Sequence, residues 1–314
     1  MLPIYLLTDY GLSDEFTGVL KAVILRIAPG ATVVDLNHAI PPFDVLSGAR
    51  CLERCVPYLS KGVVLAIVDP QVGTRRRAIA VEVKLYAPEG RIRSVDSMAV
   101  DRTADQSRLV FVGPDNGILL GAVDKLVKLS ETTMVGEPIV VDKPIAVDID
   151  IDKVAPPFPR VGTTFDGRDL FAPAAALLAK GIRLDDIGDR VGLQELVRLP
   201  NPHLLHDKDS LETEVIWVDH FGNVQLSATS DLGEALPLVI LVDSGVKRVK
   251  AHKVRTFDEL DEFELGVMED SNGYLALVAR QANAAELLDV SMGDLVTLST
   301  SDHSSPSDRS GEPT

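Results

Sequence analysis

Four aspartates lie in or directly after short apolar runs in the first 117 residues of this 314-residue chain. They are Asp9, Asp35, Asp69 and Asp115. The runs are rich in Val, Ile and Leu and have the length of strands, which is typical of a parallel sheet buried on both faces. Because ligands bind at the carboxyl ends of such strands, we expect the carboxylates at one edge of the sheet. Carboxylates at that edge repel phosphate and attract hydroxyl groups, ribose diols and cations.

These aspartates also fit two different roles. Asp is a common turn and N-cap residue, so each position is compatible with a purely structural role. Carboxylates are also the oxygen ligands of Mg²⁺ and Mn²⁺, which allows a metal-dependent hydrolase. The six histidines are scattered along the chain without metal-ligand spacing, so we expect no metal and no other cofactor. No Gly-rich phosphate loop of the Rossmann or Walker type follows the runs.

The segments between the apolar runs indicate helices that flank the sheet. Helical periodicity occurs at residues 16–28, 45–58 and 171–179. We therefore predict an α/β fold for residues 1–195, with a mostly parallel sheet and flanking helices. Within this domain, residues 86–107 predict a long loop.

The rest of the chain has a different pattern. Residues 196–210 contain two prolines and a polar run, which predict a linker. Residues 211–299 contain short apolar segments separated by turn residues, which predict a smaller, barrel-like all-β domain. Residues 300–314 offer nothing apolar to bury, and we predict a disordered tail there.

The composition restricts the class of partner. The chain is 46% hydrophobic and 25% charged, which is typical of globular proteins, and its net charge is -16. This negative charge, without a basic cluster, argues against nucleic acid or an anionic membrane as a partner. No apolar segment reaches the roughly 20 residues of a transmembrane helix. We expect a cytoplasmic protein that binds a small-molecule substrate.

Six ordered motifs resemble those of a known family. They read LTDYG, VDPQVGTRRR, GPDNG, TFDGRDLFAP, DHFGNV and SNGYL in chain order. Together they resemble the S-adenosyl-L-methionine hydrolase (adenosine-forming) family, whose halogenating relatives are the fluorinases and chlorinases. The resemblance extends from residue 6 to about residue 298. It implies that water displaces L-methionine at the ribose C5′ of S-adenosylmethionine and forms adenosine.

The resemblance implies roles for four residues of the first domain. Asp9 matches the ribose-binding aspartate, whose carboxylate can accept from both ribose hydroxyls. Asp69 and Arg76 match two of the three residues that position and polarise the attacking water. The third is a His in the FHGRD pattern of the hydrolases, and Asp166 stands in its place. Fluorinases carry Tyr at the position of Asp69 and Ser at that of Gly167, so halogenation is the less expected reaction.

The departure at Asp166 leaves three alternatives. Asp166 accepts from the attacking water beside Arg76, or it is a second carboxylate that the charge of Asp69 drives towards its protonated form. Otherwise the hydrolytic site is impaired. A non-catalytic protein that binds S-adenosylmethionine or adenosine is then the alternative function.

The resemblance also implies roles for three polar residues of the second domain. Asn223 matches the residue that contacts adenine, because its amide both donates and accepts. Asp219 matches the acid that holds the methionine amino group, and Ser271 matches the contact to its carboxylate. The family implies a homotrimer with each site between two subunits. That arrangement accounts for how these residues and Asp9 share one ligand.

Three further residues of the second domain match the family motifs, and one departs from them. Phe221 and Tyr274 supply aromatic packing, although both also fit the core of a small barrel. Ala279 matches a backbone contact. Ala276 stands where the hydrolases have Glu, so one adenine contact is missing or is made by the backbone.

Overall fold

The computed structural model describes residues 1–59, 61–86, 107–131 and 140–300. The chain divides into two compact units, residues 1–199 and 200–314. Most of the predicted loop, and the predicted tail beyond residue 300, lie outside the described residues. In the described ranges, no helix is long and apolar enough to cross a membrane.

The first unit is built on one mixed sheet. Its strands within the described ranges are β1 (Ile4–Thr8), β2 (Val33–Asn37), β3 (Gly62–Ile67), β4 (Ala78–Tyr86), β5 (Ser107–Pro114), β6 (Val140–Val141), β7 (Ile145–Ile149) and β8 (Gly188–Val191). Their order is β2-β1-β3-β5-β4-β7-β8, with β6 beside β4. The predicted α/β architecture is confirmed. Parallel pairing is confined to β2, β1, β3 and β5, because β4 and β8 run against their neighbours.

Helices cover the sheet of the first unit. They are α1 (Phe16–Ile27), α2 (Val45–Cys55), α3 (Leu120–Glu131) and α4 (Ala172–Ala179). The three helices predicted from periodicity are confirmed to within one turn. Asp44 caps α2, since its carboxylate accepts from the Ser47 backbone N–H at 2.9 Å. A π-helical turn, Gly167–Phe171, leads directly into α4. The alanine-rich α4 packs on α1 and β3 within the main core.

The second unit is a closed barrel, as the sequence pattern predicts. Its strands are β9 (Leu204–His206), β10 (Ser210–Val218), β11 (Val224–Thr229), β12 (Val239–Asp243), β13 (Arg248–Lys253), β14 (Leu265–Glu269), β15 (Tyr274–Ala279) and β16 (Leu295–Ser299). Two short helices, α5 (Ser230–Gly233) and α6 (Ala284–Leu288), accompany them. The ring runs β11-β15-β14-β13-β12-β16-β10 and closes because β10 also pairs with β11. The predicted linker therefore contains a paired strand, β9, which extends the sheet at β10.

Truncation of the buried centre of β3 should destabilise the fold far more than truncation of an exposed leucine. Leu65 is 0% exposed and Leu25, on α1, is 44% exposed. Leu65→Ala should lower the free energy of unfolding by about 2–5 kcal/mol, because it leaves a cavity. Leu25→Ala, the matched control, should change it by no more than about 0.5 kcal/mol. Urea unfolding followed by circular dichroism measures both, and equal losses would contradict the assigned core.

Candidate active site

The connection between β3 and β4 folds back and brings Asp69 and Arg76 together. Gly73 has a φ of 77°, and Thr74 Oγ1 donates to the Gln71 carbonyl at 2.7 Å. Arg76 Nε donates to Asp69 Oδ2 at 2.9 Å, and Arg76 Nη2 donates to the same oxygen. The two side chains are only 5% and 6% exposed. The pair is therefore a buried, charge-assisted contact held by a local turn.

Asp166 joins this pair from a distant part of the chain. It lies directly before the π-helical turn, and its Oδ2 accepts from Arg76 Nη2 at 2.7 Å. Burial acts to lower the pKa of Arg76, but the hydrogen bond to Asp69 and the charges of both carboxylates outweigh it and raise that pKa. The guanidinium carbon also lies 5.0 Å from the ring centroid of Phe171. The three residues predicted as catalytic thus form one cluster, in which a permanent cation separates two carboxylates.

Asp9 lies at the same edge of the sheet, directly after β1. Its backbone N–H donates to the Ile67 carbonyl at the end of β3, at 3.4 Å. Its Oδ2 accepts from the Phe43 backbone N–H at 2.9 Å. Burial raises the pKa of the Asp9 carboxyl, the Phe43 hydrogen bond opposes this, and the charge of Asp69 adds to the rise. The structure therefore places Asp9 within electrostatic reach of Asp69.

Tyr10 also belongs to this cluster. It was not among the site residues expected from the sequence. Burial, and then the charges of Asp9, Asp69 and Asp166, raise the pKa of its phenol. The hydroxyl therefore stays protonated and is a hydrogen-bond donor among carboxylates. A Cβ on Gly167 would lie 2.4 Å from Tyr10 Oη, so the glycine of this motif makes room for the tyrosine. The signal in the sequence was the position of Tyr10, adjacent to Asp9 in the LTDYG motif.

The other two aspartates of the apolar runs have structural partners. Asp35 lies inside β2 and pairs with Lys21 at 2.6 Å and His38 at 3.0 Å. Asp115 pairs with Arg77 at 2.8 Å and accepts from the Val197 backbone N–H at 2.8 Å. Asp115 lies at the expected edge, directly after β5, whereas Asp35 lies inside β2. The ion pairs of both residues are those of structural aspartates. Across the described ranges, no group of three or more His, Cys, Asp or Glu side chains is arranged to hold a metal ion.

In the second unit, Asp219 and Asn223 are parts of the turn between β10 and β11. Asp219 Oδ1 accepts from the backbone N–H groups of Phe221 and Asn223, both at 2.9 Å. Asp219 Oδ2 accepts from Asn223 Nδ2 at 2.8 Å. Gly222, with a φ of 85°, supplies the left-handed residue of the turn. The Asp219 carboxylate therefore orients the Asn223 amide, and Phe221 is 76% exposed rather than part of the core.

The turn between β14 and β15 repeats this construction. Asp270 Oδ1 accepts from the backbone N–H groups of Asn272 at 2.8 Å and Tyr274 at 3.0 Å. Gly273 has a φ of 78°, at the position that corresponds to Gly222. Two turns of the form Asp-x-x-Gly-x thus present the predicted polar residues of this unit.

Gln225 lies on β11, two residues after Asn223, and contacts the second turn. Its Nε2 donates to Asp270 Oδ2. Ser271 is exposed beside Asp270, and Tyr274 is half-buried at the start of β15. Ala279 is buried at the other end of β15, opposite Leu265. The second unit therefore presents Asn223 and Ser271 on two turns of the same construction.

Comparison with known proteins supports the same division of the chain. The family model of the SAM hydroxide adenosyltransferase N-terminal domain matches residues 4–87 and 96–188, and the model of the C-terminal domain matches residues 213–297. An uncharacterized conserved protein from Thermotoga maritima has a similar structure, with a TM-score of 0.73 and 29% sequence identity, over 95% of this chain and 100% of that chain. A conserved hypothetical protein from Thermus thermophilus gives a TM-score of 0.63 at 33% identity, with the same coverage.

Relatives with a named activity extend over the full fold. The (R)-S-adenosyl-L-methionine hydrolase of Salinispora arenicola is 40% identical over 91% of this chain and 94% of its own length. The hydrolase of the same name from Thermus thermophilus is 36% identical over 95% of this chain and 100% of its own length. A fluorinase from an Actinoplanes species is 28% identical over 93% of this chain and 95% of its own length. The chain belongs to the SAM hydroxide adenosyltransferase family.

Proposed function

We propose that this protein hydrolyses S-adenosyl-L-methionine to adenosine and L-methionine. Water attacks the ribose C5′, a C–O bond forms, and the C–S bond breaks with its electron pair returning to sulfur. Methionine then leaves as a neutral thioether, and the proton of the attacking water passes to a carboxylate and on to solvent. The observation that carries this proposal is the buried cluster of Asp69, Arg76 and Asp166 at the sheet edge.

The cluster suits the activation of water better than the protonation of a leaving group. Arg76 is a permanent cation that donates to both Asp69 and Asp166, and carboxylate oxygens such as theirs accept hydrogen bonds from water. A neutral thioether needs little acid assistance, so alignment of the water behind the C–S bond and acceptance of its proton are the main tasks. We assign the role of general base to Asp69 and a positioning role to Arg76. Asp166 accepts the second hydrogen of the water.

Asp9 is assigned to the ribose diol. Its Oδ2 already accepts from the backbone of Phe43, which fixes the carboxylate at the end of β1. A carboxylate has further lone-pair sites beyond those that accept from the backbone, and these are available for the ribose hydroxyls. The proposed role of Asp9 is therefore binding, and that of Asp69 is chemistry.

The second unit is assigned to adenine and methionine. We propose that the Asn223 amide, oriented by Asp219, reads the purine edge, with Phe221 against its face. Asp219 holds the methionine amino group and Ser271 its carboxylate. Tyr274 and the Ala279 backbone complete this set, which rests on the family motifs rather than on a bound ligand.

The assembly and location remain proposals of the same kind. We propose a homotrimer in which the first unit of one subunit and the second unit of its neighbour enclose each substrate. The cytoplasmic location stays a prediction. A non-catalytic binding protein is the second candidate, favoured by Asp166 in place of the family His and Ala276 in place of the family Glu.

The purified protein should convert S-adenosylmethionine to adenosine and methionine, with or without a chelator. Liquid chromatography of the products, in the presence and absence of chloride, distinguishes adenosine from chlorodeoxyadenosine and from unchanged substrate.

Asp69→Asn should lower kcat by about 10²- to 10⁴-fold, as expected for loss of a general base, with substrate affinity largely kept. Asp35→Asn is the control, since that aspartate lies in the same sheet but pairs with Lys21 and His38. If the parent protein leaves S-adenosylmethionine unchanged even at a stoichiometric amount of enzyme, hydrolysis is contradicted and the non-catalytic binding function is the one that stands.

Asp9→Asn should weaken the binding of adenosine much more than that of adenine. A hydrogen bond to a charged acceptor contributes about 1.5–3 kcal/mol, which corresponds to roughly a ten- to hundred-fold change in affinity. Adenine lacks the ribose and should bind the variant and the parent equally. Isothermal titration calorimetry with both ligands measures this, and the same loss for both would remove the ribose assignment.

Asp9→Asn should also stabilise the folded chain at neutral pH. Burial raises the pKa of the Asp9 carboxyl, so the folded state binds that proton more tightly than the unfolded state. Ionised Asp9 therefore disfavours folding above its raised pKa, and this penalty disappears below the ordinary pKa of aspartate. The gain of the neutral variant should be full near pH 7 and should vanish on acidification. Urea unfolding across that pH range measures the difference in the free energy of unfolding between the variant and the parent. A difference that does not change with pH would contradict the raised pKa of Asp9 as its cause.

A further inference from the structure

A second guanidinium contacts the aspartate at which this chain departs from its family. Arg160 Nη2 donates to Asp166 Oδ1 at 3.2 Å, while Arg76 Nη2 donates to Oδ2 of the same carboxylate at 2.7 Å. Arg160 Nε also lies 3.9 Å from Asp169 Oδ2. The sequence motifs did not include Arg160, since it stands six positions before Asp166 in the chain.

These contacts form a chain of alternating charges. Beyond Arg160, Asp169 accepts from Arg168 Nε at 2.7 Å and from Arg168 Nη2 at 2.8 Å. The order of the groups is Asp69, Arg76, Asp166, Arg160, Asp169 and Arg168. The side chain of Asp169 is 1% exposed and that of Asp166 is 11% exposed, whereas that of Arg160 is 36% exposed. Arg160 therefore reaches into the buried chain from the surface.

The charge balance shows why this contact matters. With a neutral His at position 166, Asp69 and Arg76 alone would balance each other. Asp166 adds one negative charge in a buried place, where an unpaired charge is strongly unfavourable. Arg160 supplies the opposite charge, and it does so at the oxygen that Arg76 leaves open.

We propose that Arg160 is a positioning residue that adapts this active site to the aspartate at position 166. By occupying Oδ1, Arg160 fixes the rotation of the Asp166 carboxylate, so that Oδ2 faces Arg76. Arg76 is then held against Asp69, and the water between the two carboxylates keeps its alignment. This inference rests on the proposed hydrolysis. It predicts that the effect of Arg160 on kcat depends on which residue occupies position 166.

Steady-state kinetics on S-adenosylmethionine tests this dependence. Arg160→Met removes the charge and keeps much of the stem, and it should lower kcat by about ten- to a hundred-fold with little change in KM. Arg160→Lys should restore part of that loss. In the Asp166→His background, Arg160→Met should no longer lower kcat, because the contact and the excess negative charge are both gone. The double variant should then be more active than Arg160→Met alone.

The control is Arg190→Met, which breaks a bidentate pair with Asp185 on the surface of the same unit. Its kcat should equal that of the parent. If Arg160→Met lowers kcat by the same factor in both backgrounds, or if the double variant is less active than Arg160→Met alone, Arg160 does not act through Asp166 and the inference fails. In either case, a parent protein that converts S-adenosylmethionine to adenosine still supports the proposed hydrolysis. A parent that leaves S-adenosylmethionine unchanged overturns the hydrolysis and this inference with it.

Discussion

The Arg76 guanidinium, held between two buried carboxylates, is the interaction on which the rest of the active site depends. It joins Asp69, on the connection after β3, to Asp166, which lies 90 positions beyond Arg76 in the chain. Two carboxylates that bind the same guanidinium would repel each other if that cation were absent. Loss of the cation would therefore leave buried charges without compensation, which disrupts a structure more than the loss of a single hydrogen bond.

The fold supplies this arrangement through its strand ends and through one unusual helical turn. Strands β1 and β3 are parallel neighbours, so Asp9 and Asp69 emerge at the same edge. The π-helical turn before α4 brings Asp166 to that edge, and Gly167 within it accommodates the Tyr10 hydroxyl. Burial of the Asp9 carboxyl raises its pKa and acts against folding at neutral pH. The charge of Asp9 therefore does not account for the stability of the fold at that pH.

The sequence predicted the architecture because apolar runs and helical periodicity record burial directly. Ordered motifs also located Asp69, Arg76 and Asp166, which the structure brings together. The strand pattern alone did not distinguish Asp9 and Asp69 from Asp35 and Asp115, because the type of residue after a strand does not reveal its partners, and only the roles that the ordered motifs imply separated the two pairs. Lys21 pairs with Asp35 and Arg77 pairs with Asp115, and tertiary packing determines both ion pairs. The short strand β9 was not predicted, since it depends on its neighbour for pairing more than on its own pattern.

The same packing decides which nucleophile the site favours. The carboxyl groups of Asp9, Asp69 and Asp166 outnumber the guanidinium groups of Arg76 and Arg160, which favours negative charge at the place that we assign to the nucleophile. A halide ion entering this place would meet that charge after losing its hydration, and both effects disfavour it. Neutral water meets no such barrier, and carboxylate oxygens orient its hydrogens. This distribution of carboxyl groups, to which Asp166 contributes, favours hydrolysis over halogenation on the same fold.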